Sequence, residues 1–189
     1  MTRPAPARLA LALLVLAACP HAAQPTTPPP DDVPTPPADI LAPIRNTPGE
    51  RLDLVVPLSG GDALPLAQLR GRVVVLELTS AEGPGWPETF AFYNRLVREV
   101  GPDRLAVIVV AVDPERAALS PEPDLRAHGF ELGWDPQGAL AARLQAAALP
   151  TVIVLDRDGR IAFVQSGPAE GRARSLTDSV RAAVADNQH

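Results

Sequence analysis

Two continuous apolar runs constrain the fold of this 189-residue chain most strongly. Residues 73–80, "VVVLELTS", and residues 103–113, "DRLAVIVVAVD", are each typical of a central strand that is buried on both faces. Between these runs, Phe90, Tyr93 and Val97 recur at helical spacing. A helix that crosses over between two buried strands implies a parallel sheet centre, so the sequence predicts an α/β fold.

The remaining elements of the domain are short and lie on both sides of this unit. A hairpin is expected at residues 149–167, because the Asp-Gly turn in "DRDGR" separates two apolar runs. The other expected elements are a strand at 51–58, a turn at 59–62, a connector at 64–72, a loop at 114–136, a short helix at 137–147 and a closing helix at 171–187. The hairpin adds an antiparallel edge, so a central mixed sheet of about five strands flanked by helices is predicted.

The N-terminus has the features of a signal peptide over residues 1–18. Arg3 and Arg8 precede ten apolar residues, 9–18, which are too few for a transmembrane helix of about 20 residues. The end of this run with the next residue, "LAAC" at 16–19, resembles a bacterial lipobox, in which Cys19 is lipidated and begins the mature protein. The alternative is an ordinary signal peptide with an incidental cysteine. We expect a lipoprotein anchored in the bacterial cell envelope and facing the periplasm.

Residues 19–48 are expected to form a linker, and residues 49–189 one folded domain. The linker contains ten of the 23 prolines, which exclude a helix or a central strand there. The chain carries 22 acidic and 17 basic residues, and all of the basic residues are arginine. An acidic chain without a basic stripe argues against nucleic acid as a partner.

The segment "SAEGPGWPET" at residues 80–89 joins the first buried run to the helix, and "LPTVIVLDRDGRI" begins at Leu149. In this order the two segments resemble the thioredoxin superfamily, in particular membrane-tethered proteins of the TlpA and ResA type, which merge with peroxiredoxin-like redoxin domains. The resemblance covers about residues 51–187. It implies a thioredoxin-like fold, a cis-proline at Pro150 and an extended peptide bound through backbone groups of Leu149.

Both redox positions of that family are substituted here. Where the family has C-G-P-C, this chain has E-G-P-G, so that Glu82 replaces the attacking cysteine and Gly85 the resolving one. Disulfide exchange requires a thiolate, and no cysteine follows Cys19. We therefore expect no catalytic residue of thiol chemistry, unless a partner supplies both thiols.

Two glutamates could carry a different chemistry. Glu82 lies at the start of a helix, where the dipole stabilises a carboxylate, and Glu77 interrupts the first buried run. One hypothesis makes them an acid/base couple. The interpretation that the sequence favours makes Glu82 a helix-start anion and places Glu77 at the rim of a strand that ends early.

A peptide groove is the other candidate site. Phe90 falls on the core face of the helix, whereas Trp86 and Phe92 fall elsewhere and are expected to be exposed beside the groove. With Leu149, Pro150 and Thr151, Trp86 could hold a peptide without reacting with it. Alternatively, Pro150 serves only the bend that the fold requires.

No metal site and no cofactor are expected. His128 has Asp124, Glu131 and Asp135 nearby, but these residues lack a spacing typical of ligands. The prediction is a lipid-anchored envelope protein with a thioredoxin fold that binds a peptide or protein and is not an enzyme. One alternative is a TlpA-like or redoxin-like oxidoreductase that acts through partner thiols. A second is a carboxylate-based enzyme that uses Glu77 and Glu82.

Overall fold

The computed structural model describes residues 46–83, 86–119, 130–168 and 170–186. The predicted signal peptide, Cys19, nearly all of the linker, Gly85 and His128 lie outside these residues. The elements are β1 (Val55–Pro57), β2 (Ala63–Pro65), β3 (Val73–Thr79), α1 (Trp86–Val100), β4 (Leu105–Ala111), β5 (Phe130–Trp134), α2 (Ala139–Arg143), β6 (Thr151–Leu155), β7 (Ile161–Ser166) and α3 (Arg172–Ala185). None of these helices is long and apolar enough to span a membrane.

Five of the strands form one mixed sheet in the order β5-β4-β3-β6-β7. β3 pairs in parallel with β4, and β4 with β5, whereas β6 pairs antiparallel with both β3 and β7. β1 and β2 form a separate antiparallel pair. The α/β class, the mixed sheet of five strands and the antiparallel edge are therefore confirmed.

The central strands are buried on both faces because different layers cover the two sides of the sheet. Side chains alternate along a strand, so Val73 and Val75 pack with the core residues of α1 and α3. Val74 and Leu76 point the other way and pack with residues of α2 and of the β1–β2 region. This alternation places residue 77 of β3 on the side of α1 and α3.

The strand β5 lies inside the segment that the sequence predicted to be a loop. The prediction failed because Gly133 in its interior, like the neighbouring prolines, is usually a sign of a loop. A Cβ atom on Gly133 would lie 2.8 Å from Cγ2 of Val110 and 3.0 Å from the carbonyl oxygen of Pro57. The glycine thus permits the close approach of β1, whose neighbour Leu58 bridges to Gly133.

Several other elements are shorter than predicted or begin elsewhere, whereas the hairpin predicted at residues 149–167 is confirmed. The first strand covers only Val55–Pro57, β2 begins one residue before the expected connector and includes its first two residues, and α2 covers only Ala139–Arg143. In the turn of the hairpin, Oδ1 of Asp156 accepts backbone hydrogen bonds from Asp158 and Arg160 at 2.9 and 2.8 Å. The predicted cis peptide bond before Pro150 is present.

Candidate functional site

A groove of about 460 Å³ opens at the edge of the sheet where β3 ends and β6 begins. The β3–α1 junction lines one side with Ser80, Gly83 and Trp86. The loop before β6 lines the other side with Leu149 and Pro150. The two walls therefore come from residues 80–89 and from the segment that begins at Leu149, on which the resemblance to the thioredoxin superfamily rests.

Leu149 and Pro150 are half-buried at this edge. Within the described residues, no backbone–backbone hydrogen bond outside the helices and strands uses the N–H or C=O group of Leu149. Thr151 differs from its expected role, because it is fully buried and does not line the groove. Its hydroxyl donates a hydrogen bond to the carbonyl of Ala148 at 2.6 Å and contacts the hydroxyl of Ser166 at 3.0 Å. Thr151 thus holds the loop before β6 in place from inside the protein.

Trp86 lines the groove, but its expected exposure is wrong. Only 9% of this residue is exposed, and its ring meets Phe90 edge-on with centroids 4.6 Å apart. Phe92 is half-buried and makes a similar contact with Tyr93 at 5.1 Å. The aromatic residues of α1 therefore belong mainly to the core, and Trp86 offers a ligand little surface.

Asp113 holds the β3–α1 junction in place, a role that the sequence did not reveal. It lies two residues after the end of β4 and is buried, and its Oδ2 accepts the N–H of Ala81 at 2.6 Å. Its Oδ1 accepts the hydroxyl of Ser80 at 2.6 Å and lies 3.5 Å from the N–H of Glu82. An acidic residue at the end of the neighbouring parallel strand is the signal that could have identified it, because such strand ends share one edge of the sheet.

Glu77 lies inside β3, and the favoured interpretation that the strand ends before it is wrong. It pairs with Val109 of β4 and Val152 of β6, and only 2% of the residue is exposed. Its Oε1 accepts a hydrogen bond from Nη2 of Arg172 at 2.7 Å, and its Oε2 accepts one from the hydroxyl of Tyr93. The buried carboxylate thus has the arginine partner that burial of a charge requires.

The electrostatic environment keeps Tyr93 neutral. Burial raises the pKa of Tyr93 well above its ordinary value, and the charge of Glu77 and the hydrogen bond to it raise it further, against a smaller opposing effect of Arg172. Tyr93 therefore keeps its proton in the folded protein near neutral pH and donates a hydrogen bond to Glu77. The sequence predicted Tyr93 to lie on the helix but identified neither Tyr93 nor Arg172 as a partner of Glu77. Nothing in the pattern says which of 17 arginines approaches a given strand.

The two glutamates do not form the acid/base couple of the alternative hypothesis. Glu77 contributes to the groove with both carboxylate oxygens already engaged. Glu82 is exposed on the junction and is not among the residues that line the groove. The other redox position, Gly85, lies outside the described residues.

A second, smaller cavity of about 240 Å³ lies between α1 and α3. It shares Glu77, Thr89 and Arg172 with the groove, and Phe92 and Leu176 are among its other lining residues. No group of three potential metal ligands occurs in the parts of the chain that the structure describes.

Comparisons with known proteins agree with this architecture. A family model for the AhpC/TSA family matches residues 50–164. No curated protein sequence matches the chain significantly.

Solved structures with the same fold include three bacterial proteins. A candidate thiol:disulfide interchange protein, DsbE, from Chlorobium tepidum has a TM-score of 0.63 at 20% identity, over 73% of this chain and 98% of that chain. The peroxidoxin BcpB from Mycobacterium tuberculosis has a TM-score of 0.58 at 22% identity, over 71% of this chain and 96% of that chain. A thiol-disulfide oxidoreductase from Bacteroides fragilis has a TM-score of 0.54 at 20% identity, over 70% of this chain and 98% of that chain.

Proposed function

The chain belongs to the AhpC/TSA family, and we propose that it is a lipid-anchored member that binds a peptide segment of an envelope protein without thiol chemistry. The chemical argument is the absence of a nucleophile. Cys19 is the only cysteine of the chain, and Glu82 stands where the resemblance places an attacking thiolate. A carboxylate can form neither a mixed disulfide nor a sulfenic acid.

The observation that carries the binding proposal is the backbone of Leu149 at the groove. No backbone–backbone hydrogen bond of the described residues outside the helices and strands engages its N–H or C=O group. An extended peptide can satisfy such groups by adding itself as a short strand, and side-chain pockets beside it then provide specificity.

The rigidity of the opposite wall supports the same function. Asp113 fixes Ser80 and Ala81 through two hydrogen bonds of 2.6 Å. A wall that is held before binding loses little conformational freedom when a ligand arrives, which favours affinity. Because Asp113 supports the junction although the thiols are absent, the groove keeps a preorganised shape without redox chemistry.

The proposed location follows from the N-terminal segment. Lipidation of Cys19 would anchor the mature chain, and residues 20–48 would separate the domain from the membrane. A fully extended polyproline linker of 29 residues, at about 3.1 Å per residue, reaches on the order of 90 Å. The domain could therefore meet partners in the periplasm well away from the lipid surface.

Site-specific photo-crosslinking in intact cells tests the proposal. A photoreactive amino acid replaces Leu149 in the full-length chain, and the matched control replaces Val55, an apolar residue of β1 that is 51% exposed. We expect Leu149 to capture a defined envelope protein that Val55 does not capture. A synthetic peptide from the captured segment should then protect the Leu149 amide from hydrogen exchange. Identical captures at both positions, or no protection, would contradict the proposal.

The oxidoreductase alternative makes the opposite prediction in a thiol assay. The purified chain with Cys19 lipidated should not reduce a model disulfide substrate, because no other residue of the chain can supply a sulfur nucleophile. Exchange that begins only when the captured partner is added would support the alternative that acts through partner thiols.

A further inference from the structure

The smaller cavity adjoins the groove and has walls of mixed chemistry. We call it the side pocket; it is lined by Glu77, Glu88, Phe92, Tyr93, Arg172 and Leu176, among others. Glu77, Thr89 and Arg172 line both cavities, so the side pocket borders the groove in which a peptide would lie.

The apolar part of the side pocket suits a long aliphatic stem. Phe92 and Tyr93 of α1 lie on one side, and Leu176 of α3 contributes to the other. A short or purely polar side chain would leave this surface unfilled.

The charges that line the side pocket favour a positively charged group at the end of the bound side chain. Glu77 and Arg172 pair with each other at 2.7 Å, so their charges cancel, and burial keeps Tyr93 neutral. Glu88 remains as an exposed carboxylate in the first turn of α1, and it makes no ion pair within the described residues. Two carboxylates and one guanidinium leave a net charge of −1 in the lining.

We propose that the side pocket receives a lysine side chain of the bound peptide, with the stem against Phe92 and Leu176 and the ammonium group at Glu88. This inference rests on the proposed function, since it assigns a specificity to the same groove. An acidic side chain would meet two carboxylates, with an arginine already engaged by Glu77. The lysine must come from another molecule, because this chain contains none.

The pocket can be tested without a known partner. The probe is N-acetyl-lysine methylamide, compared with the same compound acetylated on its side chain and with N-acetyl-glutamate methylamide. NMR signals of Tyr93, the only tyrosine of the chain, report binding to the full-length protein. We expect the lysine probe to shift these signals at least several-fold more strongly than the other two compounds.

Three variants make the test specific. Glu88→Gln removes the carboxylate and should abolish the preference for the lysine probe, and Leu176→Trp should block binding by filling the pocket. Glu99→Gln, on the same helix but outside the side pocket, should leave the preference unchanged. Equal response to all three probes, preference for the glutamate probe or absence of any shift would overturn the inference.

Failure of this inference can be distinguished from failure of the proposed function. Because the chain has no lysine side chain, a zero-length carbodiimide crosslink between Glu88 and a lysine identifies a partner residue. Specific capture at Leu149 without this crosslink would overturn only the lysine pocket. Binding of the lysine probe without specific capture at Leu149 would overturn only the proposed function.

Discussion

Glu77 and Glu99 both pair with an arginine, but in opposite environments. The side chains of Glu77 and Arg172 are 3% and 22% exposed, whereas those of Glu99 and Arg181 are 48% and 55% exposed. Removing one partner of a buried pair leaves an uncompensated charge, and the cost is about 3–5 kcal/mol. Glu77→Ala should therefore lower the free energy of unfolding strongly, which urea denaturation measures.

Glu99→Ala is the matched control for that variant. It removes the exposed partner of Arg181, and exposed ion pairs contribute little to stability. Its denaturation midpoint should remain close to that of the unmodified protein. Similar midpoints for the two variants would mean that Glu77 is hydrated rather than buried.

The buried hydroxyl of Tyr93 should make the stability of the protein depend on pH in the alkaline range. Burial and Glu77 raise its pKa in the folded state, whereas an unfolded tyrosine keeps a pKa of about 10. Above that pH the unfolded chain releases a proton that the folded chain retains, so this contribution to stability is complete at lower pH and falls as the pH rises. Ultraviolet titration of this single tyrosine should show ionisation only together with alkaline unfolding.

Glu77→Gln provides the control for the titration. The change removes a negative charge beside Tyr93, so the pKa of Tyr93 should fall towards its ordinary value. Burial, which is the largest cause of the shift, should still keep that pKa raised. An ordinary tyrosine titration in the folded, unmodified protein would contradict the buried network.

At the residue scale, the sequence indicated which side chain is unusual but not what surrounds it. Glu77 was identified because a carboxylate interrupts an apolar strand. Its partner Arg172 lies 95 positions further along the chain, and no local pattern connects the two residues. The helical position of Trp86 alone predicts a side chain outside the core, whereas its ring contacts Phe90 and only 9% of the residue is exposed.

At the scale of elements, the β3–α1 junction depends on β4 through Asp113. Asp113→Ala removes the acceptor of the buried N–H group of Ala81, and an unsatisfied buried donor costs about 1–3 kcal/mol. We expect loss of stability and faster hydrogen exchange at residues 80–82, measured by mass spectrometry.

Asp135→Ala is the control at another helix. Asp135 is also buried, and its Oδ2 accepts the N–H of Ala141 in α2 at 2.9 Å. Its loss should accelerate exchange in α2 and leave residues 80–82 protected. Uniform acceleration in both variants would indicate global loosening and would argue against a local role of Asp113.

The elements that the sequence predicted best are those with a local signal. β3 is an apolar run apart from Glu77 and Thr79, β4 is a continuous apolar run, and the β6–β7 hairpin has an Asp-Gly turn. β5 has no such signal, because Gly133 serves a contact with Pro57 that exists only in the folded protein. Local patterns therefore predicted the elements that form the groove, whereas the side pocket depends on contacts between α1 and α3 that they do not encode.

At the scale of the whole molecule, the proposal joins a groove without thiols to a lipid anchor. Both parts depend on one cysteine, since Cys19 is the only residue of the chain that can be acylated through sulfur or form a disulfide. If Cys19 carries the lipid, no thiol remains for redox chemistry. The anchor and the absence of redox activity therefore support each other.

Fractionation of cells tests the anchor. Each buried methylene of an acyl chain contributes about 0.8 kcal/mol, so two or three chains on Cys19 would hold the protein on the membrane almost irreversibly. The protein of unchanged sequence should require detergent for extraction, and its lipidated Cys19 should not react with a thiol-alkylating reagent. Cys19→Ala should either appear in the soluble envelope fraction or remain unprocessed. A soluble mature protein with an alkylatable Cys19 would contradict the anchor and would also restore a sulfur nucleophile, so the thiol assay would then have to be repeated on that form.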